Sequence, residues 1–442
     1  MTVAAMPSLW KCSSFNNIFR IDNRVLLFSS QNGRLLNFSS EQFEIIQSIF
    51  DSIDQQGTAN DSELMDLLAK QSFIVPAEVD EREIAHQKYL AEINSKDYLL
   101  LVVAPTMKCN FSCSYCFERD AVKCGEMSPL VQQELIDLVR KKAVGCRRLA
   151  VQWFGGEPFL SFALIEHLTG VFQAICAENR VKYEASIITN GSLLTEENIA
   201  QLGRLKIASL HLTLDGTPET FAKNKGISLT QSQEFYTRFF AQIPLLLQQL
   251  ESLVIRINID RDNYEEAFYV AQELKKRSLT DPRIDLRLGM LEGKNNLVDC
   301  IPHSCLSTEE YLSFDLRFKE YLVQEGFAIY PFPMPLPYPC GTVKRLSYAI
   351  DPSGNIYHCV PEIGQEADVY GNLNQEIGET QSSEYQGFDP WAIPACRDCS
   401  LLPICLGRCP RRQRYEKPFQ CLTKYKLAER LLLYANNWSS AT

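Results

Sequence analysis

The sequence predicts an α/β protein with a partial (β/α)6 barrel, a small α+β domain before it and a cysteine-rich domain after it. Strand-like apolar runs recur six times between residues 98 and 290, and helix-length amphipathic segments such as Pro129–Val144 separate them. This alternation implies a parallel sheet with right-handed crossovers. A doubly wound open sheet is the alternative. The predicted strands cover residues 98–104, 149–154, 184–189, 207–214, 253–259 and 284–290.

The region before the barrel has a different texture. An Asn32-Gly33 pair between the apolar runs 25–28 and 34–38 predicts a β-hairpin. Helical periodicity follows the hairpin, so we predict a separate α+β unit. The predicted domain boundaries are 1–95, 96–300 and 301–442.

The region after residue 300 loses the strand–helix alternation. A helical segment at 308–325 leads into the proline-rich run 331–339, and a hairpin is predicted over residues 345–360. Loops dense in cysteine follow. So little regular structure around seven cysteines predicts metal centres that organise this domain.

Composition and charge narrow the classes of function. The chain has 442 residues with 44 basic and 54 acidic side chains, a net charge of −10, which disfavours nucleic-acid binding by counterion release. No apolar run approaches the roughly 20 residues of a membrane span, and the N-terminus lacks a secretory pattern. We therefore predict a cytoplasmic protein without membrane or nucleic-acid partners.

Sixteen cysteines are the main surprise of this composition. Disulfides are rare in a reducing cytosol, so this number predicts metal ligation or redox chemistry. Cys12, Cys146 and Cys176 lie outside any ligand spacing and are interpreted as small buried hydrophobes. Cys124 is interpreted in the same way, although it lies close to Cys116.

Cys109, Cys113 and Cys116 form a C-x3-C-x2-C motif directly after the first predicted barrel strand. Three thiolates from one loop hold three irons of a cubane and leave the fourth iron open. The open iron suits a chelating amine and carboxylate. A tetrahedral zinc site is the alternative, but it needs four ligands and would have to recruit Cys124.

This motif, with the aromatic Tyr115 before its last cysteine, resembles the signature of the radical S-adenosylmethionine (SAM) superfamily. The resemblance implies a [4Fe–4S] cluster on the three cysteines, SAM at its open iron, and an electron donor such as flavodoxin or ferredoxin. In that family an electron from the reduced cluster cleaves SAM to a 5′-deoxyadenosyl radical. The protein then supplies position and exclusion of water.

Glycine and polar residues follow the next strands, at the edge where barrel active sites assemble. By the same resemblance, the glycines admit the SAM ammonium to backbone carbonyls, Glu157 adds negative charge, a Thr-Asn pair faces the ribose, and Arg256 pairs with the SAM carboxylate. Strand-to-helix turns and salt-bridged barrel lining are the alternatives for single residues, and joint placement favours SAM binding. The candidates are Tyr115, Gly155, Gly156, Glu157, Thr189, Asn190, Thr213, Asp215, Arg256 and Asn258.

The C-terminal cysteines resemble the SPASM domain, with spacing C-x13-G-x4-C, then C-x2-C-x5-C-x3-C, then a last cysteine. The resemblance implies two auxiliary [4Fe–4S] clusters, giving three in all, whereas a zinc ribbon would explain only four of the cysteines. The implied ligands are Cys396, Cys399, Cys405 and Cys421 for one cluster, and Cys340, Cys359 and Cys409 for the other, whose fourth position falls to Cys300, Cys305 or a substrate group.

Proteins with this SPASM resemblance mostly act on peptides or proteins. The first hypothesis is maturation of a ribosomally made peptide by hydrogen abstraction, giving a cross-link or another modification. Residues 1–95 favour it, because they loosely resemble winged-helix modules that capture a leader peptide by strand addition. Anaerobic sulfatase maturation, which forms formylglycine, is the alternative, and a non-enzymatic electron carrier is the third hypothesis. Asp215, Asp260 and Glu292 are the acidic residues expected near the barrel mouth, and none is singled out as a base.

Overall fold

The computed structural model describes residues 9–59, 61–118, 124–291, 304–329, 333–375, 385–415, 421 and 423–438. The chain divides into two compact units. The first unit combines Met1–Ile93, Pro331–Cys340 and Phe388–Thr442. The second unit combines Asn94–Tyr330 and Gly341–Gly387.

The N-terminal part of the first unit is a small α+β module. Its elements are β1 (Trp10–Cys12), β2 (Asn16–Ile21), β3 (Arg24–Ser29), β4 (Leu35–Ser39), α1 (Ser40–Gln56), α2 (Ser62–Lys70), β5 (Ile74–Pro76) and α3 (Glu81–Asn94). The antiparallel sheet has the order β2-β3-β4, and β1 pairs separately with β5. The hairpin predicted around Asn32-Gly33 joins β3 to β4, where Gly33 adopts a φ of +74°.

The central strand of this sheet is buried on both faces. Val25 and Leu27 pack in a cluster with α1 and α2. Leu26 and Phe28, which point to the other face, pack against apolar side chains from the C-terminal segment of the same unit. Other elements of the same unit therefore cover both faces of the three-stranded sheet.

The second unit contains the strand–helix alternation that the sequence predicts. Six consecutive strands run parallel in sequential order, each paired with the next. The predicted α/β class with a partial barrel is confirmed. The elements are β6 (Tyr98–Val103), α4 (Pro129–Ala143), β7 (Arg148–Trp153), α5 (Phe162–Asn179), β8 (Lys182–Thr189), α6 (Glu196–Gln201), β9 (Ile207–Thr213), α7 (Pro218–Lys225), α8 (Leu229–Gln249), β10 (Ser252–Ile259), α9 (Ala267–Lys276), β11 (Ile284–Met290) and α10 (Thr308–Gln324).

Three further strands extend this sheet beyond β6. The first of them lies parallel to β6, and the other two continue antiparallel. The turn of the predicted hairpin is held by Asp351, whose carboxylate accepts from the N–H groups of Ser353 and Asn355. The elements are β12 (Ser347–Ile350), β13 (Asn355–Tyr357) and β14 (Val369–Asn372).

The main core of the second unit lies between the sheet and its helices. Alternate residues of β10, such as Ile255 and Ile257, point into it, so Arg256 and Asn258 lie on the opposite face. Among the described residues, one helical stretch, Pro158–Asn179, is long and apolar enough to cross a membrane by length and composition alone. Half of it is buried, and its apolar face belongs to this core.

The C-terminal part of the first unit consists of short helices and cysteine-bearing loops. Its last helix packs on the three-stranded sheet of the same unit. The elements are α11 (Pro394–Arg397), α12 (Leu402–Cys405), α13 (Pro410–Tyr415) and α14 (Leu427–Trp438).

Candidate functional site

The loop that carries Cys109, Cys113 and Cys116 follows β6, at the edge where the parallel strands end. We call residues 104–118 the cysteine loop. None of the three cysteines forms a disulfide, and Cys109 is exposed. The first predicted feature of the site, a three-cysteine loop at the carboxyl edge of the sheet, is therefore present.

The Gly155-Gly156-Glu157 turn after β7 lies directly against the cysteine loop. The N–H of Gly156 donates to the carbonyl of Thr106 at 3.1 Å, and the N–H of Glu157 donates to that of Lys108 at 2.9 Å. A Cβ on Gly155, whose φ is +107°, would lie 2.4 Å from the Thr106 oxygen. Both positions therefore need glycine because the two backbones touch.

The other side of the cysteine loop is held by the end of α7. Ser112 N–H donates to the Lys225 carbonyl at 3.1 Å, and Ser114 N–H donates to the Asn224 carbonyl at 2.9 Å. These carbonyls are among those that a helix C-terminus leaves without intrahelical partners. The cysteine loop thus supplies hydrogen-bond donors to carbonyl groups at the C-terminus of α7.

Glu157 is fully buried, and its carboxylate binds groups of the protein itself. It accepts from Phe159 N–H at 3.0 Å, Thr189 Oγ1 at 2.7 Å and Asn190 N–H at 2.8 Å. Burial raises the pKa of Glu157, and these hydrogen bonds oppose the rise. The side chain predicted to add charge near SAM therefore joins the turn after β7 to the turn after β8.

Asn190 links the turn after β8 to the cysteine loop. Its Nδ2 donates to Asn110 Oδ1 at 2.9 Å and lies 3.7 Å from the Cys109 sulfur. Burial raises the pKa of the Cys109 thiol, and the hydrogen bonds from Phe111 N–H and Asn190 oppose the rise. An amide donor beside Cys109 favours its thiolate, the form that binds metal.

Tyr115 is the centre of a buried polar cluster beneath the cysteine loop. Its hydroxyl lies 2.5 Å from Asp215 Oδ2 and accepts from Lys225 Nζ at 2.5 Å and from Asn258 Nδ2 at 3.1 Å. Lys225 Nζ also donates to Thr213 Oγ1 at 2.7 Å and lies 3.2 Å from Asp215 Oδ2. Four predicted residues therefore come together, and sequence reasoning missed the fifth, Lys225.

Charges within this polar cluster oppose the effects of burial. Burial disfavours the charged form of Lys225, but Asp215, Tyr115 and Cys113 together raise its pKa above the ordinary value. Burial raises the pKa of the Cys113 thiol to about 11, while the neighbouring Lys225 lowers it. Lys225 therefore remains protonated and electrostatically coupled to a thiol of the loop.

Arg256 and Asn258 share one face of β10, as their spacing predicts. Arg256 Nε donates to Asn258 Oδ1 at 2.9 Å, and Arg256 is exposed while Asn258 is buried. On the adjacent strand β11, a Cβ at Gly289 would lie 2.2 Å from Arg256 Nε, so this glycine makes room for the arginine. Sequence reasoning did not single out Gly289.

Two acidic residues predicted near the barrel mouth have different outcomes. Asp260 accepts from the backbone of its own loop, at Asp262 and Asn263, and burial raises its pKa. Glu292 lies outside the described residues. The acidic residue that contacts the polar cluster is Asp215.

The chemistry of the donors fits an iron–sulfur cluster. The thiols of the cysteine loop interact electrostatically with one another, and none is in a disulfide. Across the described residues, no three His, Cys, Asp or Glu side chains already have metal-binding geometry. Three thiols on one loop, one for each of three irons, match the donor set of a cubane that leaves its fourth iron open.

Four cysteines of the first unit share one neighbourhood. Burial raises the pKa of Cys396 to about 11, and Cys405, Cys399 and Cys421 add to the rise. Within the same unit, Cys340 raises the pKa of Cys409, after the larger effect of burial. The four free thiols of the first group match the four-cysteine donor set of an iron–sulfur cluster.

The remaining candidate ligands are distributed differently. Cys359 belongs to the second unit and is not in a disulfide. Cys305 is disulfide-bonded, so in this form it offers no thiolate to iron. Cys300 lies outside the described residues.

Comparison with known proteins identifies the class. Residues 103–244 match the family model of the Radical SAM superfamily. The chain is 25% identical over 207 residues to the radical SAM cyclopropyl synthase TigE of Paramaledivibacter caminithermalis. That match covers 41% of this chain and 43% of TigE, under half the length of either.

Two solved structures share the fold. The structure of native anSMEcpe with bound AdoMet and the Cp18Cys peptide is 18% identical, with a TM-score of 0.57, and the match covers 77% of this chain and 99% of that one. The structure of Streptococcus suis SuiB bound to precursor peptide SuiA is 15% identical, with a TM-score of 0.50, and the match covers 92% of this chain and 97% of that one.

The parallel sheet and the three-cysteine loop at its carboxyl edge define a radical SAM domain. Residues 103–244 match the Radical SAM model, as the sequence predicts for the region that carries the three-cysteine motif. Such a domain takes SAM and a [4Fe–4S] cluster, which supplies the electron for SAM cleavage.

Proposed function

We propose that this chain is a radical SAM enzyme that abstracts a hydrogen atom from a residue of a ribosomally made peptide. The observation that carries the proposal is the bracing of the cysteine loop by the ends of successive strands and helices. Glu157, Asn190 and Tyr115 each connect that loop, or a turn that touches it, to another element of the barrel. Such bracing holds reacting groups in a fixed geometry, which is how positioning contributes to catalysis.

The candidate SAM-binding residues separate into two roles. Glu157 and Thr189 are buried and bonded to each other, so we assign them to positioning the loops. Arg256 is exposed on the sheet face that bears Asn258, and we assign it to the SAM carboxylate. Gly155 and Gly156 keep their backbone at the cysteine loop.

The other candidate SAM-binding residues contact the cysteine loop or belong to the polar cluster around Tyr115. Tyr115, Asn190, Thr213, Asp215 and Asn258 line or anchor the loop from below. Cys109, Cys113 and Cys116 are the proposed ligands of the cluster that SAM completes. The chain's own residues thus hold the cofactor between the ends of β6 and β10.

Two auxiliary [4Fe–4S] clusters complete the proposed cofactor set. Cys396, Cys399, Cys405 and Cys421 are assigned to one of them, supported by their mutual electrostatic effects. Cys340 and Cys409, which lie in the same unit, are assigned to the other. We propose that these clusters take up the electron that leaves the substrate when its radical is oxidised, and that flavodoxin or ferredoxin supplies the electron for SAM cleavage.

The N-terminal module is proposed to bind a leader peptide by strand addition to β4. Ser29 N–H donates to the Arg34 carbonyl, so pairs 27–36 and 25–38 are the hydrogen-bonded ones in this ladder. The backbone groups of Leu35 and Asn37 therefore point away from β3. In the described part of the chain, β4 pairs with β3 alone, which leaves this outer edge for an extended peptide.

Replacing Asn37 by Pro tests strand addition directly. Proline removes the outward N–H of this edge position without removing a bond of the β3–β4 ladder. Binding of the precursor peptide to the full-length protein, measured by calorimetry, should weaken about fivefold to tenfold, the loss of roughly one hydrogen bond. The matched control, Asn37→Ala, keeps the N–H and should bind like the wild type; equal affinities for both variants would contradict strand addition.

Anaerobic sulfatase maturation is the second candidate, and the fold likeness to anSMEcpe favours it. The two activities differ in substrate, so the purified, iron-loaded protein should be incubated anaerobically with SAM, dithionite and each candidate. Mass spectrometry of a precursor peptide encoded beside the gene should show the loss of two hydrogen atoms per cross-link. Conversion of a sulfatase Cys or Ser to formylglycine, with an unchanged precursor peptide, would replace the first proposal by the second.

A further inference from the structure

Lys225 is a buried cation directly behind the cysteine loop. Its side chain is 2% exposed, and Asp215, its partner, is 0% exposed. Lys223, two positions earlier on the same helix, is exposed. Two residues of an α-helix are about 200° apart around its axis, so only one of these lysines points into the barrel.

Three polar groups and two aromatic rings surround the Lys225 ammonium. It donates to Tyr115 Oη at 2.5 Å and Thr213 Oγ1 at 2.7 Å, and it pairs with Asp215 Oδ2 at 3.2 Å. It also lies 5.1 Å from the centre of the Tyr115 ring and 5.3 Å from that of Phe221. The arrangement fixes the position of the charge and excludes water from it.

The position of Tyr115 places the positive charge of Lys225 next to the cysteine loop. Tyr115 lies between Cys113 and Cys116, so the lysine that holds its hydroxyl lies behind two cluster ligands. The ammonium interacts electrostatically with the Cys113 thiol, and there its influence exceeds the opposite influence of Asp215. Ions in solution screen a buried charge much less than an exposed one.

We propose that Lys225 is a positioning residue of the SAM-cleavage site, which anchors the cysteine loop through Tyr115 and places a fixed positive charge beside the cluster. This inference rests on the proposed function. One-electron reduction adds a negative charge to the cluster, and a nearby buried cation stabilises that charge. Lys225 therefore raises the reduction potential of the cluster, and Asp215 lowers it by a smaller amount.

Two substitutions that remove charges of opposite sign distinguish this electrostatic role from a purely structural one. Lys225→Met removes the positive charge while keeping the length of the side chain, and Asp215→Asn removes the negative charge with little change in shape. Loss of packing or hydrogen bonds would disturb the cluster similarly in both variants. Loss of the charge itself shifts the reduction potential of the cluster in opposite directions in the two variants.

The test measures the potential of the SAM-site cluster in the full-length, iron-loaded protein. Electron paramagnetic resonance identifies that cluster as the one whose signal changes when SAM is added. Lys225→Met should favour the oxidised form about tenfold more than the wild type, a shift of about −59 mV for one electron. Asp215→Asn should shift the potential to more positive values. The conservative Lys225→Arg keeps the positive charge, so its ratio of oxidised to reduced cluster should stay within a few-fold of the wild-type ratio.

Lys223→Met is the matched control, because it removes an exposed charge from the same helix and should leave the potential unchanged. Shifts of the same sign in Lys225→Met and Asp215→Asn would overturn the proposal. If Lys225→Met fails to retain iron, Asp215→Asn decides alone, since an unchanged or more negative potential would also overturn it. A wild-type protein that binds no iron at the cysteine loop would instead defeat the proposed function.

Discussion

Gly156→Ala places a methyl group against the backbone of the cysteine loop. The added Cβ would lie 2.3 Å from the Lys108 carbonyl oxygen and 2.7 Å from that of Met107. Ordinary contacts of a Cβ begin near 3.4 Å, so the two segments would have to separate by about 1 Å. That separation breaks or strains the bonds from Gly156 N–H to Thr106 and from Glu157 N–H to Lys108.

The cost follows from these two effects. Overpacking typically destabilises a protein by about 1–3 kcal/mol, and each lost hydrogen bond adds about 1 kcal/mol. The variant should therefore lose about 3–5 kcal/mol. With an unfolding entropy of about 2 cal/mol/K per residue, this loss lowers the midpoint of the barrel unit by about 5–8 °C.

Differential scanning calorimetry and iron analysis measure the result. Gly156→Ala should unfold earlier and retain less iron at the cysteine loop. Gly170→Ala is the matched control, because Gly170 lies in α5 with no atom within 4 Å of the added Cβ. It should be neutral or more stable, by up to about 1 kcal/mol. Identical midpoints and iron contents for the two variants would refute the close contact between turn and loop.

Two further predictions concern iron and pH. The triple replacement of Cys109, Cys113 and Cys116 by Ala should remove about four of about twelve irons, whereas Cys176→Ala, a buried cysteine outside the motif, should remove none by colorimetric analysis. Burial and Arg287 lower the pKa of His211 below 6.5, and Arg256 adds to the effect while Asp285 opposes it. The folded state then binds this proton less readily than the unfolded state. His211 therefore leaves the free energy of unfolding unchanged above about pH 6.5 and lowers it as the pH drops below that value. Thermal melts should show a smaller fall for His211→Gln than for the wild type, and parallel curves would rule out this role for His211.

Much of the fold could be predicted because its signals are local. The six apolar runs with intervening amphipathic segments correspond to β6 to β11, and the Asn32-Gly33 pair does form a turn. The cysteine spacing identified the loop after β6 for a similar reason. Three thiols within eight residues must lie near one another in any fold.

The contacts within the site could not be predicted in the same way. Lys223 and Lys225 look alike in the sequence, and only the packing of α7 beneath Tyr115 makes the second one a buried partner of Asp215. The sequence predicts that Glu157 adds charge near SAM, yet its position between two turns gives each of its carboxylate oxygens a protein donor. Both differences arise from tertiary contacts between segments distant in sequence.

The central claim is that the cysteine loop supports SAM cleavage. The measurement that tests it most directly is the yield of 5′-deoxyadenosine after anaerobic incubation of the iron-loaded protein with SAM and dithionite. We predict product from the wild type and none from the variant that lacks Cys109, Cys113 and Cys116. No product from the wild type, or undiminished product from the variant, would contradict the account.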